Sequence, residues 1–215
     1  MIPCVRSSLR RACAALALLF LASQAGAEPV THQFAGQITT LGGSLDLSGV
    51  FSIGQPVTLD CTVERDTPGV PQDAYVTAYT NPVTMVAFTI GSWSGGSAPS
   101  SSNATVTNDA PSPAPPSVIY DQWSWNALGV TAAPLGNLML SSLTSTLDDI
   151  EGTVFDSGAI PRVFPALGAF EGRTATFLLI NLSTFQSGYV MATLANVSTP
   201  AEGKTWGGIK ALYRQ

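Results

Sequence analysis

The stretch Pro56-Val57-Thr58-Leu59-Asp60-Cys61-Thr62-Val63-Glu64 alternates apolar and polar side chains without a break. Val57, Leu59, Cys61 and Val63 fall on one side of an extended chain, and Thr58, Asp60, Thr62 and Glu64 on the other. That period of two marks a half-buried antiparallel strand. Pro56 suits its first position, where a missing N–H costs least. The same period predicts strands over 32–40, with Phe34 and Ile38 sharing a face, and over 83–90, with Val86, Phe88 and Ile90. Further strands are expected over 105–108, 118–126, 138–140, 174–181 and 189–197. Gly, Pro, Ser and Asn punctuate them at 42–43, 66–69, 95–102 and 109–116, the last with four prolines, which excludes regular structure there. Residues 143–152 suggest one helical turn ended by Gly152. Roughly eight to ten strands of this kind predict an all-β, antiparallel β-sandwich, jelly-roll-like or immunoglobulin-like, of two packed sheets.

Ahead of this pattern, residues 1–27 have the layout of a secretory signal. Arg6, Arg10 and Arg11 precede an apolar run over 12–22, and Ala25-Gly26-Ala27 supplies a small-x-small cleavage site. The run is too short for a membrane-crossing helix, which needs about 20 residues, so cleavage is expected and no membrane anchor afterwards. Neither Cys4, ahead of the run, nor Cys13, following Arg11 and Ala12, sits where a lipid-accepting cysteine would. Removing 27 of the 215 residues leaves 188, the size of one domain, so 28–215 is expected to be a single unit. Three of the nine basic residues leave with the signal while all 14 acidic ones stay, giving six against 14 and a net charge of −8. Scattered single cations under that balance make nucleic acid and anionic membrane surfaces poor partners.

Cys61 is the only cysteine beyond the signal, so no internal disulfide forms, and its place on the apolar face predicts an inert buried thiol. His32 is the only histidine. It lies five residues past the cleavage point and is expected to face solvent on its strand. One His and one Cys supply neither a catalytic triad nor a zinc site, and no Gly-rich phosphate loop or other cofactor motif is present. Asp148, Asp149 and Glu151, with Asp156 close behind, are the weak candidates for calcium, which takes carboxylate and carbonyl oxygens from loops. Trp93, Trp123 and Trp125 are the weak candidates for stacking on a sugar or anchoring a partner. Trp123 and Trp125 share the face opposite Gln122, Ser124 and Asn126, which predicts that they lie in the core. Asn103, Asn181 and Asn196 stand in N-glycosylation patterns that matter only in a secreting eukaryote.

The runs Phe34-Ala35-Gly36-Gln37-Ile38-Thr39, Gly49-Val50-Phe51-Ser52-Ile53-Gly54-Gln55-Pro56-Val57-Thr58 and Asp66-Thr67-Pro68 resemble the opening of exported bacterial β-sandwich proteins of the PEP-CTERM type. Gly152-Thr153-Val154-Phe155-Asp156-Ser157-Gly158-Ala159-Ile160-Pro161 is similar to the segment before their last strands. The resemblance implies a role in the cell envelope or extracellular matrix and carries over no catalytic residue. The export signal, the all-β pattern and the lack of a site lead to the expectation of a non-enzymatic protein, with polysaccharide or another envelope protein as partner. The sequence departs from that family where a Pro-Glu-Pro motif, an apolar helix and a basic tail would stand, ending instead in Thr205-Trp206-Gly207-Gly208-Ile209-Lys210-Ala211-Leu212-Tyr213-Arg214-Gln215. A freely released or periplasmic protein is therefore expected. A carbohydrate-binding module or carbohydrate-active enzyme, and a calcium-stabilised adhesive domain, are the alternatives.

Overall fold

A computed structural model describes residues 29–111, 118–161 and 163–198; the expected signal peptide, Asn196's side chain and the C-terminal departure lie outside what it describes. The alternating stretch that opens the sequence forms β2 (Pro56–Val63), with Val57, Leu59, Cys61 and Val63 all buried. Around it stand β1 (Val30–Gly43), β3 (Gly69–Pro71), β4 (Val76–Thr80), β5 (Val83–Ile90), β6 (Trp93–Ser97), β7 (Ser101–Pro111), β8 (Ile119–Leu128), β9 (Leu138–Asp149), β10 (Gly172–Asn181) and β11 (Ser187–Ser198). One short 3-10 helix, Leu167–Ala169, interrupts the link from β9 to β10.

All eleven strands belong to one antiparallel sheet in the order β3-β4-β7-β8-β9-β10-β11-β1-β2-β5-β6. The expected all-β antiparallel character holds, but in place of two separate sheets there is one sheet curled into a half-barrel. Chain connectivity forces the curl. β4 is second from one edge and β5 second from the other, yet only Asn81 and Pro82 join them. A flat sheet would hold those strands about eight strand spacings of roughly 4.8 Å apart, far beyond the reach of two residues.

The seam is bonded by polar groups. The buried Ser102 hydroxyl accepts from the Val83 N–H at 3.1 Å and reaches the Val83 carbonyl at 3.1 Å, and Asn81 Oδ1 accepts from the Ser102 N–H at 2.9 Å. Asn81 has φ +55°, a left-handed conformation that Asn tolerates better than most residues. β1 bends at two register shifts, after Ala35 and after Ile38, as bulged strands do. At the first, a Cβ on Gly36 would stand 2.2 Å from the Thr193 carbonyl oxygen, so only glycine fits.

Curling folds the inner face onto itself. Phe88 of β5 and Phe177 of β10, four places apart in the sheet, meet edge to face with centroids 5.2 Å apart. Trp123, Trp125, Leu143, Leu147 and Leu179 complete this wall, all buried. The expected helical turn over 143–152 is absent: β9 runs as strand to Asp149 with Leu143, Ser145, Leu147 and Asp149 buried. Its alternation wins because the inner face has apolar partners on both sides.

Candidate functional site

One end of the half-barrel is filled by the link from β9 to β10, residues 150–171. Phe155, Ile160, Leu167 and Phe170 are buried in the core with Phe164, so this link is a plug. Its anchorage begins with two strands in register. Asp121 of β8 lies opposite Asp149 of β9, and both are buried, at 0% and 1% exposure. Asp121 accepts from the N–H groups of Val154 and Phe155 on one oxygen, at 2.9 and 2.7 Å, and from Asp109 on the other at 2.8 Å. Asp149 accepts from the Glu151 and Thr153 N–H groups at 2.9 and 2.7 Å and from the Thr153 hydroxyl at 3.2 Å. Burial pushes the pKa of Asp149 up, but these donors outweigh it and hold the carboxyl below its ordinary value. The Tyr79 hydroxyl, bonded to the Gly158 carbonyl at 2.5 Å, fastens the plug from β4.

Asp121 carries no weight in the acidic cluster read from the sequence, although it shares the parity of Trp123 and Trp125 and was therefore bound to point inward. Of the cluster, Asp149 is consumed by the plug. Asp148 points to the outer face and accepts from Gln122 Nε2 at 2.7 Å, while Glu151 and Asp156 are exposed. Among the described residues no three His, Cys, Asp or Glu side chains gather in a set able to hold a metal.

Beneath the plug, β1 and β2 pair His32 directly with Cys61. His32 is 3% exposed, which corrects the expectation that it faces solvent: it has the parity of Phe34, and Phe164 of the plug lies over it at 4.5 Å between ring centroids. Its Nε2 has no hydrogen-bond partner. Burial first, and the Arg65 charge second, bring the imidazole down to about 4, while burial pushes the Cys61 thiol up. Both groups are thus held neutral. A nucleophilic cysteine needs the opposite, a thiolate beside a charged base, so adjacency here does not amount to a catalytic pair.

Trp93, Trp123 and Trp125 are 5%, 1% and 1% exposed. They form part of the core, and no face is free to stack on a sugar ring. Trp93 donates to the Ala133 carbonyl at 2.9 Å; the indole nitrogens of Trp123 and Trp125 are buried without partners. Asn103 is exposed on β7, whereas Asn181 folds its side chain back onto its own turn. A half-open depression of about 410 Å³ lies over the plug, lined by residues including Val154, Ile160, Pro161, Val163 and Pro165. Apart from Asp156 and Ser157 its lining residues have apolar side chains, and none of Asp121, Asp149, His32 and Cys61 lines it.

No family model matches the chain, and neither a characterised protein nor a solved structure matches it significantly.

Proposed function

We propose that this chain is an exported, non-enzymatic β domain that serves the cell envelope or extracellular matrix, either in the periplasm or released, and binds through its surface. The observation that supports it most is how the groups able to do chemistry are used. Asp121 and Asp149 are occupied by backbone donors of the plug. His32 and Cys61 are neutral and buried, and Trp93, Trp123 and Trp125 fill the core. The depression over the plug is lined by one carboxylate, Asp156, where acid–base work calls for a positioned pair. The layout of residues 1–27 and the PEP-CTERM-type resemblance support export and an envelope role.

Purified protein is expected to leave ester, glycoside, peptide and phosphate substrates unturned. A turnover abolished by substituting a single carboxylate such as Asp156→Asn would overturn the proposal. Export is tested by fractionating cells that express the whole chain. The N-terminus of the recovered protein is expected at Glu28; a cytoplasmic product retaining Met1 would refute it.

A further inference from the structure

The register places Gly43, Gly188, Asn181, Leu138 and Leu128 together at the end of the half-barrel opposite the plug. The two ends differ sharply in charge. Segments 43–55, 91–100, 128–142 and 178–191, which build this far end, contain a single formal charge, Asp46. Its most prominent feature is the hairpin between β10 and β11, where Phe185 is 82% exposed and Leu182 53%. The neighbouring tips expose Met139 and Val50, and the Ser44 and Leu45 N–H groups tie one of those tips to the hairpin through the Ser187 carbonyl.

The hairpin has a second property that exposure to water does not require. Each N–H from Asn181 to Gln186 already has a partner within the protein. Asn181 donates to the Gln186 carbonyl and Leu182 to the Asn137 carbonyl, both at 2.9 Å. Ser183 and Thr184 donate to Asn181 Oδ1 at 2.9 and 3.2 Å, Phe185 to the Asn181 carbonyl at 2.8 Å, and Gln186 to Thr184 Oγ1 at 3.4 Å. The same bonds hold Phe185 at φ +56°, a conformation rare for a bulky side chain. In water such donors are satisfied freely; in an apolar medium an unpaired one is costly, so pairing them internally lowers the cost of bringing the tip to a membrane interface.

From an end with one formal charge, the exposed Phe185 and the hairpin's partnered N–H groups, we propose that this tip docks on a lipid bilayer of zwitterionic headgroups and inserts Phe185 into its interface, with the hairpin carbonyls staying at the hydrated headgroup level. Single apolar side chains exposed on separate tips suit a deformable medium better than a rigid protein face, which needs complementary shape over about 1,000 Å² or more. The lack of cations at this end excludes attraction to anionic lipid as the driving force.

Sedimentation of the protein with pure phosphatidylcholine vesicles tests the proposal. Partition is expected to be equal at about 0.1 M and about 1 M salt, across which charge–charge attraction is strongly screened. Phe185→Ser is expected to weaken it by about tenfold, the scale of one lost aromatic burial. Leu182→Ser should weaken it in the same direction. Val163→Ser, which removes an apolar group that is 80% exposed at the plugged end, should leave it unchanged. Thermal melts establish that each variant is folded. Failure of the folded wild-type protein to partition would overturn the proposal, as would a requirement for anionic lipid. Self-association without lipid that Phe185→Ser abolishes would overturn it too, by identifying a second copy as the occupant.

Discussion

Two pairs of polar residues face each other across neighbouring strands on the inner side of this sheet, and their fates diverge. Asp121 opposite Asp149 has a donor for every role a carboxylate plays, because the plug turns N–H groups of 151, 153, 154 and 155 toward them. His32 opposite Cys61 receives no such help: its Nε2 is unpartnered and Phe164 covers it. Burial is similar in the two places. What separates them is the supply of partners, which keeps one pair useful as an anchor and forces the other to stay neutral.

The comparison breaks first if Asp121 is not an anchor. Asp121→Ala would leave three donors without their acceptor, each costing about 1–3 kcal/mol when buried, so a loss of roughly 3 kcal/mol or more is expected from urea unfolding. Early proteolytic cleavage within 150–171 should accompany it. A variant as stable as the parent, with the plug equally protected, would show that the anchorage lies elsewhere.

The two pairs also predict different pH windows. His32 titrates at about 4 in the folded chain and near 6.5 when unfolded. Its lowered pKa means that the unfolded state takes up the proton first. Stability is therefore complete above about pH 6.5 and falls by up to about 3 kcal/mol as the pH drops toward 4. The contribution of Asp149, also held low, persists through that window and disappears only below the ordinary carboxylate value of 3.8. His32→Leu should flatten the upper window alone. A stability profile that is level from pH 7 to 4 in the parent would show that the imidazole is partnered or exposed.

Most strands with an apolar face were legible where both neighbours in the sheet gave that face something to bury; β9, read only over 138–140 and as a helical turn beyond, was the exception. β5 matches its expected span, β2 ends one residue short of Glu64, β8 runs 119–128 against the expected 118–126, and β1, β10 and β11 extend theirs by a few residues. The unread strands β3, β4 and β6 lie at or next to the sheet's edges, where burial imposes little pattern. β6 even carries Gly95, where the Phe88 ring approaches within 2.7 Å of the place a Cβ would take. Curl was hidden because it depends on which strands pair, a long-range property absent from any local period. The inward turn of Asp121 and His32 was readable from parity with Trp123 and Phe34. The cross-strand partners that give each its chemistry were not, since register is fixed by the whole sheet.

The smallest expected effect sharpens the same contrast within three residues of β2, by comparing its inner and outer faces. Cys61 is fully buried opposite His32, and its thiol should resist an aqueous alkylating reagent until the chain unfolds. Cys61→Ser places a hydroxyl among apolar side chains, at about 1–3 kcal/mol if it goes unpaired. Thr62 lies on the outer face with its hydroxyl 2.8 Å from that of Thr31. Thr62→Ser keeps that bond and should stay within about 0.5 kcal/mol. Because a slip of one residue exchanges the faces of a strand completely, equal costs at 61 and 62, or rapid labelling of Cys61 in the folded protein, would refute the register that sets Cys61 against His32.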